Sequence, residues 1–206
     1  MMQAEVQFLV PLYTKNIEGL VEKLNLVDEV MDYVSMNHTE SPNGMVQSLP
    51  YLHKKENIVE LNSEIIECIK YISLNFTKYE SKYKVDITSM WGNVQKPGAF
   101  FNKHYHRNNI YSGILYLNDS GEDVFPPTKF FSPLVRDFGP SVKETNVFNA
   151  ASSERSFEKG VLVIFPAWLE HDVGINLTPN NRLTISFNVM LRGDFDSPDS
   201  LQSVRF

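Results

Sequence analysis

The stretch 182–191 reads Arg-Leu-Thr-Ile-Ser-Phe-Asn-Val-Met-Leu, with an apolar residue at every second position. Its odd-numbered positions are all apolar: Leu183, Ile185, Phe187, Val189 and Leu191. The alternate positions hold Arg182, Thr184, Ser186 and Asn188. Because successive side chains of a strand point to opposite faces, the pattern predicts a strand with one core face and one polar face. The polar face suits ordinary solvent contact, but a lone arginine inside a barrel would also suit a carboxylate.

The chain around this stretch is built of similar short runs rich in Val, Ile, Phe, Tyr and Trp, separated by turn residues. The predicted strands are 85–94, 99–106, 111–118, 128–131, 161–165, 171–175 and 183–191. Seven short strands after helices indicate a β-sandwich or barrel flanked by a helical layer. The irregular stretch 132–159 is long enough to be a functional loop or lid.

The first part of the chain has a helical period instead. Apolar residues recur at intervals of three and four from Asn16 to Met36, and again from about Ile58 to Lys82. We therefore predict one domain over residues 1–206. It would comprise an N-terminal layer of two helices (1–83), a β core (84–192) and a C-terminal extension (193–206).

The composition excludes several classes of protein. Hydrophobic residues make up 42% of the 206 residues, which is enough to build a core, and no apolar run is long enough to span a bilayer. The formal charge of −6 disfavours a nucleic-acid surface. The N-terminus has no basic region of a signal peptide, so we expect a cytoplasmic protein, or one in the host cytoplasm if phage-encoded. The only cysteine, Cys68, permits no intrachain disulfide, so a metal would need His, Asp or Glu ligands.

Three of the five histidines have the pattern of a metal site. His104 and His106 share one face of a predicted strand, and His171 follows another strand at a corner of the predicted barrel. Three neutral imidazoles at one point would hold a divalent metal such as Fe, Zn, Cu or Ni. The alternative is that each is an unrelated surface histidine of a strand.

The order of these residues resembles that of the 2-oxoglutarate- and Fe(II)-dependent oxygenases. The resemblance rests on His104-Tyr-His106, on His171, and on Arg182-Leu-Thr184 eleven residues later. It extends through Trp91-Gly-Asn-Val-Gln-Lys-Pro-Gly, Ser112-Gly-Ile-Leu-Tyr-Leu and Gly160-Val-Leu-Val-Ile-Phe-Pro-Ala-Trp-Leu-Glu-His. It covers roughly residues 85–192 and is nearest to a branch known from bacteria and phages. It implies a prolyl-hydroxylase-like double-stranded β-helix, also called a jelly roll, as the core behind the two helices.

The resemblance also implies roles for individual residues. His104 and His171 would bind Fe(II), Arg182 with Thr184 would bind the distal carboxylate of 2-oxoglutarate, and Tyr116 would assist. Other residues would have less specific roles in binding the cosubstrate or the substrate. These are Asn102 and Asn93 on neighbouring strands, and Trp91 and Trp168 at the mouth of the site. The alternative roles are core packing for Tyr116 and the tryptophans, and turn or strand-edge hydrogen bonds for the asparagines.

The sequence departs from the family at His106, where a carboxylate is usual. His106 as a third ligand would leave Fe(II) and dianionic 2-oxoglutarate in charge balance. In the alternatives, Asn108 supplies a weak oxygen ligand beside His106, or the site has lost its iron chemistry.

The resemblance implies an enzyme that uses Fe(II), 2-oxoglutarate and O₂, and that hydroxylates a prime substrate the sequence does not identify. Two other functions fit the same residues: a cupin-like metal enzyme without 2-oxoglutarate, and a non-enzymatic jelly-roll binding or structural module. A homodimer through the helical layer is compatible with the sequence.

Overall fold

The computed structural model describes residues 9–119, 121–134, 139–197 and 199–206. Three helices occur in these ranges: α1 (Glu18–Lys23), α2 (Leu26–Met36) and α3 (Val59–Asn75), with two short 3₁₀ turns at Leu52–Lys54 and Glu56–Ile58. None of these helices has the length and apolar character needed to cross a bilayer.

The described strands form two larger sheets and one small hairpin. The strands are β1 (Tyr13–Asn16), β2 (His38–Glu40), β3 (Met45–Ser48), β4 (Lys84–Gln95), β5 (Phe101–His104), β6 (Tyr111–Tyr116), β7 (Thr128–Phe131), β8 (Ser152–Arg155), β9 (Val161–Pro166), β10 (His171–Val173), β11 (Arg182–Arg192), β12 (Asp194–Phe195) and β13 (Val204–Arg205). The major sheet has the order β1-β9-β6-β11-β4-β3-β2, the minor sheet the order β5-β10-β7-β8, and β12 pairs with β13. Neighbouring strands are antiparallel throughout. The prediction of a mainly β fold with a double-stranded β-helix core is confirmed.

The helices cover the outer face of the major sheet. Val30, Leu61 and Ile65 of α2 and α3 are fully buried in one cluster with Ile185 and Phe187 of β11. The odd-numbered residues of β11 all belong to this cluster, as their alternation predicted. The even-numbered residues therefore lie on the inner face of the sheet, opposite the minor sheet.

A second and smaller core lies on the inner side. It contains Ile114 and Tyr116 of β6, Phe130 of β7, and Val163 and Phe165 of β9. This core fills one part of the space between the sheets, and the polar residues of β4 and β11 line the remainder.

The predicted first helix is two helices in the structure. Asn25 between them has the left-handed conformation (φ 48°), which interrupts the helical hydrogen bonds. The break rotates the buried stripe, so that Leu26 and Val30 are buried whereas Met31 is 37% exposed. The second helix ends at Asn75 rather than near Lys82.

The N-terminal region contributes strands as well as helices. Its strands β1, β2 and β3 occupy both edges of the major sheet, which the sequence did not reveal. The irregular stretch 132–159 contains β8, and residues 135–138 of that stretch lie outside the described ranges. The C-terminal extension folds back as the β12–β13 hairpin, where Phe195 contacts Tyr83. Pro198 also lies outside the described ranges.

Candidate metal and cosubstrate site

The structure brings His104, His106 and His171 together. Strands β5 and β10 pair with His171 opposite His104. His106 lies just beyond β5 rather than on it, and its backbone N–H donates to the carbonyl of Ala167 at 2.9 Å. One ring nitrogen from each of the three lies within 4.8 Å of the others. They are the only such group of His, Cys, Asp or Glu in the described part of the chain.

Two of the three imidazoles are oriented by backbone carbonyls. His104 Nδ1 lies 2.7 Å from the carbonyl oxygen of Asn102, and His171 Nδ1 lies 3.0 Å from that of Leu169. If each Nδ1–H donates to its carbonyl, each Nε2 is left as a free lone pair, which is the usual arrangement of a metal-binding histidine.

His106 is held by ring contacts instead. Its ring stacks on that of His171 (centroids 5.3 Å apart) and lies 5.8 Å from the ring of Trp91. Burial, and then the nearby His104, lowers the pKa of His106 to about 4 and that of His171 to about 3. Both rings are therefore neutral at pH 7, the state in which an imidazole binds a metal.

Arg182 is a buried cation that has no acidic partner among the residues the structure describes. Its side chain is 2% exposed, and it forms no ion pair within the ranges that the structure describes. Nη2 donates to Thr128 Oγ1 at 3.3 Å, and Nε has no hydrogen-bond partner there. Burial lowers its pKa to about 10, which leaves the guanidinium charged at neutral pH.

Aromatic rings surround this cation. The guanidinium carbon lies 4.7 Å from the ring centre of Phe157 and 5.5 Å from that of Tyr116. The Tyr116 hydroxyl donates to Thr128 Oγ1 at 2.9 Å, and burial raises the pKa of Tyr116. Tyr116 and Thr128 are both fully buried. The tyrosine therefore packs in the core and also hydrogen-bonds the threonine that Arg182 contacts.

The other predicted site residues have different positions. Thr184 is buried and accepts a hydrogen bond from the equally buried Asn93 at 3.0 Å. The half-buried Trp91 donates to Asn93 at 2.9 Å. The side chain of Asn102 is exposed, and its contact with the cluster is made by its backbone carbonyl. Trp168 is 53% exposed on the turn after β9.

A single cleft between the sheets joins these groups. It is small, about 40 Å³, and is lined by the three histidines, Trp91, Asn93, Arg182, Thr184, Gln47, Ser186, Phe101, Ile114, Val173. A much larger groove of about 910 Å³ lies elsewhere, between β1 and α3, and is mostly apolar. The chemistry-bearing residues line the small cleft, so we take the cleft as the functional site.

Several residues of this region, among them Thr128, Phe157 and Gln47, were not predicted. Thr128 begins a correctly predicted strand, so its contact with Arg182 could have been found only from the sheet pairing. Phe157 lies in the irregular stretch, and Gln47 lies between the two predicted helices. No local pattern marks either residue.

The donor set fits the proposed cofactors on the geometry of this chain. Three neutral imidazoles suit a divalent first-row metal. The buried guanidinium, with its unpartnered Nε, has unused capacity for an anion. Among the described residues no carboxylate joins the histidines, and Asp172 on β10 is not part of the cluster.

Comparison with known proteins gives a match to one family. Residues 89–188 match the family described as "Putative 2OG-Fe(II) oxygenase". None of the curated proteins matches the sequence.

Several solved structures have the same fold. A prolyl-4-hydroxylase from Pseudomonas putida is 15% identical (TM-score 0.64, covering 89% of this chain and 94% of the other). A prolyl hydroxylase from Trichoplax adhaerens, solved with a hypoxia-inducible-factor peptide, is 12% identical (0.62; 87% and 83%). HygX from Streptomyces hygroscopicus, solved with nickel, 2-oxoglutarate and hygromycin B, is 11% identical (0.60; 88% and 83%). At these identities the likeness shows the fold alone.

The β-helix with its histidine cluster belongs to the class of metal-dependent oxygenases. Its residues 89–188, just under half of the chain, match the 2-oxoglutarate- and Fe(II)-dependent oxygenase family. It is therefore an enzyme that uses Fe(II), 2-oxoglutarate and O₂. The alternatives of a cupin-like enzyme without 2-oxoglutarate and of a non-enzymatic module are not retained.

Proposed function

We propose that this oxygenase is a hydroxylase whose iron is held by His104, His106 and His171, and whose 2-oxoglutarate is held by Arg182. The observation that supports this most is the presence of a buried, unpaired arginine in the same cleft as three convergent imidazoles. When bound, the iron supplies O₂ activation, by which 2-oxoglutarate is oxidised to succinate and CO₂ while one oxygen atom enters the C–H bond of the substrate.

The residues of the chain prepare this chemistry before any ligand binds. The carbonyls of Asn102 and Leu169 orient two of the imidazoles. Arg182 offers its Nε–H and its charge to one carboxylate of 2-oxoglutarate, with the Thr184 hydroxyl beside it. Tyr116 and Phe157 keep water from the guanidinium, which strengthens its attraction for an anion. Trp91 and Asn93 line the side of the cleft next to His106, where we place the prime substrate, with Trp168 on the surface beyond. The side chain of Asn102 would contact a ligand only from outside.

The test is anaerobic titration of the protein with Fe(II) and 2-oxoglutarate. We expect a metal-to-ligand charge-transfer band in the visible spectrum, and slow formation of succinate once O₂ is admitted. Arg182→Ala should abolish the 2-oxoglutarate-dependent band without loss of iron. Arg192→Ala is the matched control, because Arg192 is exposed and paired with Asp86. Absence of the band and of succinate from the wild-type protein would refute the proposal.

The role of His106 needs a separate measurement. We expect His106→Ala to weaken Fe(II) binding by at least about tenfold, whereas His106→Asp, which restores the usual carboxylate, should bind iron. Asn108→Ala should leave the affinity unchanged, because Asn108 is exposed and does not line the cleft. Competition with a chromophoric chelator measures the Fe(II) affinity of all three variants. A loss in Asn108→Ala equal to that in His106→Ala would favour the asparagine as a ligand.

For the prime substrate we propose only that it is a molecule with a C–H bond that can enter this cleft. Two solved structures of the same fold contain ligands of different kinds, one a peptide and the other hygromycin B. The cytoplasmic location and a homodimer through the helical layer stay predictions.

A further inference from the structure

An amide network lies beside the metal site and includes a residue from outside the family match. Gln47 of β3 donates from Nε2 to Asn93 Oδ1 at 2.9 Å, and the indole N–H of Trp91 donates to the same oxygen at 2.9 Å. Asn93 Nδ2 in turn donates to the hydroxyls of Thr184 and Ser186, at 3.0 Å each. We call Gln47, Trp91 and Asn93 the amide relay.

Trp91 fixes the orientation of the Asn93 amide. An indole N–H is only a donor, so the atom facing it must be the amide oxygen. The NH₂ group of Asn93 must then face Thr184 and Ser186. A second donor on the same oxygen, from Gln47, opposes a flip of the amide. Asn93 is 2% exposed, so water does not compete for these bonds.

This orientation determines what the two hydroxyls can offer a ligand. Each hydroxyl oxygen already accepts a hydrogen from Asn93, and its own hydrogen has no acceptor among the described residues. Both hydroxyls line the cleft. Each can therefore donate its remaining hydrogen toward the cleft, which suits the oxygens of an anion.

We infer that the amide relay is a positioning device that holds the Thr184 and Ser186 hydroxyls as donors to the carboxylate oxygens of 2-oxoglutarate. The inference rests on the proposed function, because it assigns the anion to the same cleft. It gives the N-terminal segment a part in cosubstrate binding, through Gln47. Asn93 would act through the two hydroxyls rather than by contact with the reacting atoms.

The test is binding of 2-oxoglutarate to Zn(II)-loaded protein, measured by calorimetry and independent of turnover. We expect Asn93→Leu, of similar shape, to raise the Kd about tenfold, which corresponds to about 1.4 kcal/mol. In the background of Thr184→Val with Ser186→Ala, the same substitution should raise the Kd less than about twofold, because the hydroxyls through which it acts are gone. Zn(II) affinity should not change.

Two further arms keep the test decisive. Ser112→Ala is the matched control: Ser112 is buried on the same face, but its hydroxyl donates to Asn188 and does not line the cleft. If Asn93→Leu does not fold, Trp91→Phe combined with Gln47→Leu removes both bonds that fix the amide, and should show the same dependence on the two hydroxyls. An equal effect of either change in both backgrounds would overturn the relay and leave the proposed function standing. Failure of the wild-type protein to bind 2-oxoglutarate would overturn both.

Discussion

Arg182 is the residue whose environment departs furthest from that of an ordinary side chain. Its guanidinium is out of contact with water, without an acidic partner in the described part of the chain, and incompletely hydrogen-bonded. A buried charge in this state costs free energy that the fold must supply elsewhere. Such a residue is expected where a function requires it rather than where stability does.

We therefore predict that Arg182→Met stabilises the unliganded protein. Methionine has a similar length and no charge to bury, so the free energy of unfolding should rise by about 1–2 kcal/mol. Urea denaturation followed by circular dichroism measures this change. A fall of more than 2 kcal/mol would show that the ring contacts with Tyr116 and Phe157 outweigh the burial of the charge.

The site at this scale was only partly predictable. The sequence predicts His104, His106, His171, Arg182 and Thr184 as site residues because their types and spacing resemble those of a known family. Gln47 reaches the site through the pairing of β3 with β4, and Thr128 reaches it through a hydrogen bond from Arg182. No local sequence pattern predicts either contact.

Strands β6 and β11 pack closely where Gly113 faces Phe187. A Cβ at Gly113 of β6 would lie 2.1 Å from Cζ of Phe187, which is opposite it on β11. The phenylalanine ring thus occupies the space that a side chain at residue 113 would need. Glycine is required here by packing rather than by backbone conformation.

Gly113→Ala should accordingly lower the free energy of unfolding by about 1–3 kcal/mol through overpacking. Gly19→Ala is the control, since a Cβ at Gly19 of α1 meets nothing within 4 Å. It should stabilise by up to about 1 kcal/mol through helix propensity. Urea denaturation distinguishes them. In a Phe187→Leu background, Gly113→Ala should lower the free energy of unfolding by less. An unchanged loss of stability would contradict the packing argument.

Helix α3 gives a prediction for Cys68. Burial, and then the nearby Glu64 that accepts its S–H at 3.4 Å, raises the pKa of the thiol to about 11. Since only the thiolate reacts, alkylation by iodoacetamide at pH 8 should be about 10²-fold slower in the native protein than in urea. The native rate should rise about tenfold per pH unit up to pH 10, and Glu64→Gln should increase it. Equal rates with and without urea would contradict the shift.

The elements themselves were predicted where their pattern is long and regular. The alternation of residues 182–191 fixes β11 and its buried face, and the apolar period of α3 fixes its core residues. The break at Asn25 was missed because apolar residues recur every three or four positions in the sequence on both sides of it. This spacing is also that of a single continuous helix. Strands β1 to β3 were missed because each has three or four residues and gains its stability from a distant partner.

In the protein as a whole, the helical layer and the β-helix share one hydrophobic core. The major sheet buries its outer face against α2 and α3, and buried N-terminal residues such as Leu26, Leu61 and Ile69 share a cluster with β11. Each such side chain contributes about 1.5–3 kcal/mol. Loss of several would exceed the total stability of a typical domain, about 5–15 kcal/mol.

A fragment of residues 84–206 should therefore not fold, although it contains the whole family match. We expect it to aggregate, or to bind the dye ANS without the near-ultraviolet circular dichroism of packed aromatic residues. The full chain is the control. A monomeric fragment with a cooperative thermal transition would show that the helical layer is dispensable for the fold.

With 2-oxoglutarate bound at Arg182 as proposed, the lifetime of the protein would also depend on metabolism. A dianion that binds only the native state adds RT ln(1 + [L]/Kd) to the free energy of unfolding, about 2.7 kcal/mol at a concentration one hundred times Kd. When the supply of 2-oxoglutarate falls, the chain would spend more time in states that proteases can cleave. The abundance of the enzyme, and not only its rate, would then follow the supply of its cosubstrate.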